Sequence, residues 1–217
     1  VQDLASLVGP SAFATGIGGQ GEVVGAMEVA PNVYRAFLYS NRQTQQLGTL
    51  GGASSAAAAI NAGGLVVGDA ETSGGYTHAF ALYDGGMMDL GTLGGQNSSA
   101  TAVNAAGQVA GIAENAGGGR HAFLFAGPGM QDLGTLGGAH SSAEAINAAG
   151  RVVGASETAG GKIHAFLYDG TMTDLNDLLP PASRWDLLAA TGINDFGQIV
   201  GFGLHGGQTR GFLMLPG

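Results

Sequence analysis

The stretch Asp89-Leu90-Gly91-Thr92-Leu93-Gly94-Gly95 recurs without a change at residues 132–138, 43 positions further along the chain. A phenylalanine that ends a short apolar run keeps nearly the same interval, with spacings of 43, 43, 43 and 46 between its five copies. These copies are Phe37, Phe80, Phe123, Phe166 and Phe212. The 217 residues therefore hold five copies of one unit, with almost nothing left over.

Each unit contains four short apolar runs and no stretch with helical periodicity. In the second unit these runs, termed strands a to d, cover residues 56–60, 65–70, 78–83 and 87–93. The step from Asn61 to Gly64, between strands a and b, supplies the residue types that tight turns require. Four antiparallel strands in about 43 residues, repeated several times, are typical of the blades of a β-propeller. The sequence therefore predicts an all-β, five-bladed β-propeller with four antiparallel strands per blade.

The phase of the repeat predicts how the ring closes. Residues 1–9 align with strand d of the later units, and the sequence stops just after strand c of the fifth unit. An N-terminal strand that completes the last blade would close the ring and remove an exposed sheet edge. The predicted divisions are residues 1–9 for the outer strand of blade 5, 10–52 for blade 1, 53–95 for blade 2, 96–138 for blade 3, 139–182 for blade 4 and 183–217 for the rest of blade 5.

Composition narrows the possible functional classes. Apolar residue types make up 45% of the chain despite 42 glycines, so the chain can bury a core. With 7 basic and 16 acidic residues the net charge is -9, which argues against a nucleic-acid partner. The sequence contains no cysteine, no run of 18 apolar residues and no recognised phosphate-binding or nucleophile motif. We expect a monomer without a membrane span, cofactor, metal ion or catalytic residue.

Three of the units carry the triplet His-Ala-Phe, at residues 78–80, 121–123 and 164–166. In these triplets and in the Asp-Leu-Gly-Thr-Leu-Gly-Gly copies, the chain resembles the HAF family of extracellular repeat proteins over essentially its whole length. The first and fifth units depart from the pattern, with Arg35-Ala36-Phe37 and Arg210-Gly211-Phe212. The resemblance implies a bacterial protein that is secreted or held at the cell surface, and it brings no assigned catalytic residues.

One glutamate ends strand b in each of the first four units. On a five-fold ring, neighbouring carboxylates at this radius lie roughly 14 Å apart, which is too far for one shared metal ion or for a glycosidase pair of acids. Each glutamate has a basic residue seven positions later, across the b–c hairpin. We therefore predict structural pairs that hold the hairpins, with ligand binding by the glutamates as the alternative. The predicted pairs are Glu28 with Arg35, Glu71 with His78, Glu114 with His121, and Glu157 with His164.

Departures from the repeat are the better guide to a binding site, because scaffold residues recur and specific ligand contacts do not. The loop between strands d and a of the fourth and fifth units has five extra residues and carries Arg184, Trp185 and Asp186. In the preceding d–a loop, His140 replaces the residue that is Asn97 one unit earlier. These five residues predict a stacking surface beside polar groups, suited to a sugar or a peptide. The alternative is that the insertion caps the last blade, with the tryptophan as part of the core.

Since d–a and b–c loops lie on the same face of antiparallel sheets, that face is the predicted ligand surface. The absence of a catalytic motif favours a non-enzymatic, secreted or cell-surface binding or adhesion module that recognises a glycan or a protein. Two alternatives stay open. One is an extracellular carbohydrate-active hydrolase or lyase, for which Glu144 is the single acid on an axial strand. The other is a purely structural envelope or matrix protein.

Overall fold

The computed structural model of the protein describes Gly9, residues 11–83 and residues 85–216. Within these residues the regular structure consists of β-strands and one short 3-10 turn, Leu175–Leu178. The prediction of an all-β fold is therefore confirmed. The strands form five antiparallel sheets that follow one another along the chain.

Each sheet corresponds to one sequence repeat, and its strands pair in chain order. Sheet 1 contains β1 (Ala12–Ile17), β2 (Val23–Ala30), β3 (Val33–Ser40) and β4 (Gln43–Gln46). Sheet 2 contains β5 (Gly51–Ile60), β6 (Val66–Thr72), β7 (Thr77–Tyr83) and β8 (Gly86–Asp89). Sheet 3 contains β9 (Gly94–Val103), β10 (Val109–Asn115), β11 (Arg120–Phe125) and β12 (Met130–Asp132). Sheet 4 contains β13 (Gly137–Ile146), β14 (Val152–Thr158), β15 (Ile163–Tyr168) and β16 (Met172–Asp174). Sheet 5 contains β17 (Trp185–Ile193), β18 (Ile199–His205) and β19 (Gln208–Met214).

Strands a and d differ in length from the sequence prediction. Strand a of sheet 2 begins at Gly51, five residues before the predicted start, and strand d ends at Asp89, so that Leu90 to Leu93 leave the sheet. Leu93 then pairs with Asn115 of the next sheet. The Leu-Gly-Thr-Leu segment is therefore a crossing between two sheets, and its leucines pack in the interface instead of extending strand d.

A glycine in the middle of strand b lets strand a bulge over it. A Cβ atom added at Gly111 would lie 2.1 Å from the carbonyl oxygen of Ser99 and 2.7 Å from the ring of Phe123. Phe123 lies opposite Gly111 in the register of β10 and β11 and is fully buried. The same glycine and phenylalanine pairing recurs at Gly68 with Phe80 and at Gly154 with Phe166. The recurring phenylalanine that defines the repeat is thus the central core residue of its sheet.

Consecutive sheets pack face to face through small and branched side chains. Between sheets 2 and 3, Val67 and Ala79 contact a cluster that contains Val109 and Phe123, and Leu90 closes this cluster. Equivalent clusters join sheets 1 and 2, sheets 3 and 4, and sheets 4 and 5. We call each of these four interfaces a joint.

A serine in each of the first three joints satisfies a buried backbone group of the preceding sheet. Ser98 accepts a hydrogen bond from the amide of Ala79 at 2.8 Å and donates one to the carbonyl of Gly91. Ser55 and Ser141 make the equivalent bonds to Ala36 and Ala122. We call Ser55, Ser98 and Ser141 the joint serines; they are all buried.

Asparagines at the opposite end of strand a connect the sheets a second time. The side-chain amide of Asn61 donates to the carbonyl of Asn104 at 2.9 Å, Asn104 donates to Asn147 at 2.9 Å, and Asn147 donates to Asn194 at 3.1 Å. Each of these three side chains also fixes its own a–b turn, as Asn61 does by accepting from the amides of Gly63 and Leu65. The turn signal read from the sequence is therefore also an inter-sheet contact.

The closed ring predicted from the repeat is not seen in the described part of the chain, where no strand of sheet 5 packs on sheet 1 as consecutive sheets pack on each other. Residues 1–8, which make up nearly all of the strand predicted to complete blade 5, lie outside the described residues. Sheet 5 accordingly shows three described strands.

Replacing Ser55 by alanine tests the joint serines. The variant Ser55→Ala leaves the amide of Ala36 buried without an acceptor, so we expect the free energy of unfolding to fall by about 1–3 kcal/mol. Urea denaturation followed by circular dichroism measures this change. Ser54→Ala is the matched control, since the Ser54 hydroxyl makes no hydrogen bond with the other described residues while the hydroxyl of its neighbour Ser55 makes two. Equal stability of the two variants would show that the joint serines do not hold the sheets together.

Candidate functional site

The candidate site lies on the face where each strand a begins and each strand b ends. These ends meet because strands a and b are antiparallel, as the pairing of Gly137 with Thr158 shows. The face carries Glu71, Glu114 and Glu157 near the ends of their b strands. It is the face that the sequence analysis selected.

The glutamates hold the start of strand a in their own sheets. Glu71 accepts hydrogen bonds from the backbone amides of Ala53 and Ser54, at 2.8 and 3.2 Å. Glu114 accepts from the amides of Gln96 and Asn97, and Glu157 from the amide of Ala139. A glycine lies beneath each of these three side chains: a Cβ atom at Gly95 would lie 2.4 Å from the Cβ atom of Glu114.

The histidines pair with aspartates and not with the glutamates, so the predicted pairs are wrong. His78 Nδ1 lies 2.8 Å from Asp89, His121 Nδ1 lies 2.8 Å from Asp132, and His164 Nδ1 lies 2.5 Å from Asp174. The reason is the register: Asp89 lies opposite Phe80 on the outer strand, which brings its carboxylate beside the side chain of His78. The aspartates recur with the histidines, 11, 11 and 10 residues later, which is the signal that could have identified them.

The fourth predicted pair, Glu28 with Arg35, is also absent among the ion pairs of the described residues. The carboxylate of Glu28 accepts from the amide of Asn32 at 3.1 Å, inside its own hairpin. In the register of β2 and β3, Tyr34 lies opposite Glu28, and Arg35 lies opposite Met27. The basic residue therefore projects from the other side of the hairpin.

Two adjoining grooves open on this face between sheets 2, 3 and 4. One has a volume of about 400 Å³ and is lined by His140, Ser142, Glu157 and Ile163 among others. The other has a volume of about 310 Å³ and is lined by Thr77, Asn97, Ser99 and Glu114 among others. Ile112 and Arg120 line both grooves, so the two form one continuous surface centred on sheet 3. We call this surface the Arg120 groove.

Asn97 and His140 hold equivalent places in the two halves of the Arg120 groove. The side chain of Asn97 accepts from the amide of Thr77 at 3.1 Å, and His140 Nδ1 accepts from the amide of Arg120 at 3.2 Å. Asn97 also donates to the carboxylate of Glu114, at 3.1 and 3.2 Å. Each of the two predicted ligand residues is therefore held by a hydrogen bond to the preceding sheet.

The charges in the groove are set by these contacts. The amide of Asn97, the backbone amides of Gln96 and Asn97, and the nearby Arg120 guanidinium together hold the pKa of Glu114 below its ordinary value. Glu114 is thus ionised at neutral pH. The guanidinium of Arg120 makes no hydrogen bond or ion pair with the other described residues, and its side chain is exposed. Its donors are free for a ligand.

Trp185 lines a different groove, so the structure does not gather the five predicted ligand residues into one site. The indole stacks on His205 with ring centroids 4.8 Å apart, and its edge meets Phe212 at 6.5 Å. Its groove of about 400 Å³ is lined by apolar side chains, including Leu178, Leu179, Pro180 and Leu187. Trp185 packs against the cluster that joins sheets 4 and 5.

Arg184 and Asp186, on either side of Trp185 in the sequence, make no shared surface with it. Arg184 is exposed and has a backbone φ of 56°, in the left-handed region, at the turn into β17. Asp186 lies 3.5 Å from His164 Nε2, while the other ring nitrogen of His164 bonds to Asp174. Asp186 therefore lies beside His164 at the joint of sheets 4 and 5, and not on a surface shared with His140.

Sequence reasoning did not identify Arg120. The corresponding positions in the other four units are Tyr34, Thr77, Ile163 and Thr209, so the arginine is itself a departure from the repeat. It is the first residue of β11 and lies directly before the recurring His-Ala-Phe triplet.

No group of three histidine, aspartate or glutamate side chains suited to a metal ion occurs among the described residues. The described part of the chain also has no helix long and apolar enough to cross a membrane.

No protein-family model matches the chain, and no curated protein matches it in sequence. Among solved structures, the chain is similar to TolB from Acinetobacter baumannii, with a TM-score of 0.56 and 12% identity over 95% of this chain. The match covers 51% of the TolB chain, so this chain spans about half the length of that protein. A gluconolactonase from Xanthomonas campestris aligns over 99% of this chain and 83% of its own, with 14% identity and a TM-score of 0.46. The similarity to TolB supports a β-propeller fold.

The partly buried carboxyl of Asp69 accepts a hydrogen bond from Ser99 of the groove at 3.0 Å and makes the stability of the protein depend on pH. Burial raises the pKa of Asp69, and the Ser99 hydroxyl only partly opposes this. Because the folded protein holds this proton more tightly than the unfolded chain does, its stabilising contribution is complete at low pH and is lost as pH rises through the folded-state pKa.

We therefore expect Asp69→Asn to raise the free energy of unfolding at pH 7, because the amide can keep the Ser99 bond without a partly buried charge. The gain should shrink towards zero at about pH 3, where Asp69 carries its proton. Urea titrations of both proteins at the two pH values measure the difference. Asp177→Asn, at an exposed aspartate, is the control. A gain of equal size at both pH values would contradict the assignment.

Proposed function

We propose that this protein is a non-enzymatic β-propeller module that binds a glycan in the Arg120 groove. One observation carries the proposal: two grooves, in which Asn97 and His140 are hydrogen-bonded to the neighbouring sheet, meet at Arg120, whose guanidinium has no partner among the described residues. A ligand that enters the groove meets donors from Arg120 and acceptors from Glu114 and Glu157 without displacing any joint serine.

The chemistry of the groove suits a sugar better than an apolar ligand. Sugar hydroxyl groups both donate and accept hydrogen bonds, and the groove offers carboxylates, hydroxyls and a guanidinium within one surface. Ile163 is exposed in the groove, and Ile112 lies between its two halves, so there is also apolar area for the carbon face of a sugar ring. Small-molecule sites typically combine apolar walls with a few placed polar groups in this way.

The blade count and the location belong to the same proposal. Each of the five sheets corresponds to one repeat, and four joints connect them in sequence, so we count five blades in this chain. The resemblance to the HAF repeats supports a place outside the cell or at its surface, where glycans are available.

Binding to a glycan array tests the function. We expect the protein to retain a restricted set of glycans, and Arg120→Ala to weaken binding about tenfold or more, because bonds to a charged group contribute about 1.5–3 kcal/mol. His140→Ala should weaken binding less, through loss of the contact that positions Arg120. Arg42→Ala is the matched control: it removes the same charge from an exposed arginine in the turn after β3, on the opposite face.

Two results would contradict the proposal. One is equal loss of binding in Arg120→Ala and Arg42→Ala, which would indicate a general charge effect. The other is retention of no glycan by the folded protein. A protein ligand captured through the same groove, and lost in Arg120→Ala, would keep the site and replace the ligand class.

A further inference from the structure

In sheets 1 to 4, one face of the sheet packs against the next sheet along the chain. In sheet 5 the same face is exposed. Val24, Val67 and Val153 occupy this face in sheets 1, 2 and 4 and are fully buried. The corresponding residue of sheet 5, Val200, is 46% exposed. Phe202 on the same strand is 42% exposed, and Leu213 on the next strand is 61% exposed. A sheet face of the kind that is covered at each joint is therefore left uncovered here.

Sheet 1 exposes the opposite half of the same interface. Ile17 is 73% exposed, and Phe13 on the same strand is 61% exposed. The residues that correspond to Ile17 in the other four sheets all pack into the joint with the preceding sheet. They are Ile60, Val103, Ile146 and Ile193. Sheet 1 has the surface for a preceding sheet, and none of the described sheets covers it.

The polar groups of the two end sheets match in the same way. Within the chain, Thr15 and Thr101 donate to the inner strand of the following sheet, at the carbonyls of Ala57 and Ala143. In sheet 5, Thr191 corresponds to these threonines, and Asn194 corresponds to the asparagines that connect the earlier sheets. Neither Thr191 nor Asn194 has an inter-sheet acceptor among the described residues. By the same spacing, the acceptors that they lack correspond to the carbonyls of Ala14 and Gly18 on sheet 1.

We propose that sheet 5 of one molecule packs against sheet 1 of a second copy of this chain, forming a fifth joint head to tail. The occupant follows from continuity: the two exposed faces are the two halves of an interface that the chain already makes four times. Both halves are open in the same molecule, so each copy can offer one to each neighbour. Such a heterologous contact joins copies into a closed ring or an extended series, and it replaces the monomer expected from the sequence.

The assembly leaves the Arg120 groove free, because that groove lies between sheets 2, 3 and 4, away from both end faces. Each added copy would therefore add one groove. For a repetitive glycan, several grooves on one particle raise the apparent affinity without any new contact. This inference goes beyond the glycan proposal and does not depend on it.

Disulfide trapping tests the joint, since the chain contains no cysteine. At the joint of sheets 1 and 2, a Cβ atom added at Gly19 would lie 3.5 Å from the Cβ atom of Ala62, within the range that a disulfide requires. The corresponding pair at the fifth joint is Asp195 of one copy and Gly19 of the next. Mixing Gly19→Cys chains with mass-tagged Asp195→Cys chains under mild oxidation should give a mixed disulfide dimer.

Two controls calibrate the trapping. The double variant Gly19→Cys/Ala62→Cys should form a disulfide within one chain, which shows that the geometry of a joint permits the bond. Mixing Arg42→Cys chains with Asp195→Cys chains measures random collision. A mixed dimer of Gly19→Cys and Asp195→Cys no more abundant than this background would overturn the proposal. So would a disulfide formed within single chains of Gly19→Cys/Asp195→Cys at high dilution, because that result indicates ring closure inside one molecule.

Sedimentation velocity of the unmodified protein provides an independent readout. We expect the mean mass to rise with concentration, and Val200→Glu to shift the protein to monomers by placing a charge in the fifth joint. Met88→Glu, at an exposed apolar residue on sheet 2, should leave the mass distribution unchanged. A single monomeric species at all concentrations would contradict the proposal.

Discussion

The amide of Ala79 is the group on which the arrangement of the sheets depends. The carbonyl of Ala79 accepts a hydrogen bond from the amide of Leu90. The outer strand β8 ends at Asp89, so the chain beyond it offers no acceptor to the amide of Ala79 within sheet 2. An unsatisfied buried amide is costly, and Ser98 of the next sheet removes that cost. Because the same hydroxyl donates to Gly91 in the crossing segment, one side chain fixes two sheets and the segment between them.

This constraint also positions the candidate site. Asn97 precedes the joint serine Ser98, and His140 precedes Ser141, so each groove residue lies beside a fixed point. The hydrogen bonds that Asn97 accepts from the amide of Thr77 and that His140 accepts from the amide of Arg120 repeat, at the surface, the inter-sheet contact that the serine makes in the interior. At the joint of sheets 4 and 5, an asparagine makes the side-chain to backbone contact in place of a serine: Asn176 accepts a hydrogen bond from the amide of Leu187 and donates one to the carbonyl of Leu187. The inserted loop thus contributes to packing, with Trp185 in the adjoining cluster.

The repeat made much of the fold predictable. A constant interval, turn residues at fixed offsets and a recurring phenylalanine were sufficient for the sheets, their order and the all-β class, because each of these features is local to one unit. The sequence places these glycines in strand b. It does not show why a side chain is excluded there, because the reason is a bulge in strand a that only the register reveals.

The site was predicted less well, because its contacts depend on register and on neighbouring sheets. The starts of the a strands and the ends of the b strands do lie on one face, as antiparallel strands require. The partner of each histidine was wrong, since spacing along a hairpin does not say on which side of the sheet two residues project. Trp185 and His140 are both departures from the repeat, yet they line different grooves. Arg120 was detectable only by comparing, in every unit, the residue three positions before the recurring phenylalanine.

Hydrogen exchange of the Ala36, Ala79 and Ala122 amides, measured by NMR, tests most directly whether the joint serines hold the sheets together. If they do, these three amides should exchange only through global unfolding, as slowly as amides in the centre of the b strands. Fast exchange of these amides, at rates like those of exposed turns while the b strands stay protected, would contradict the account.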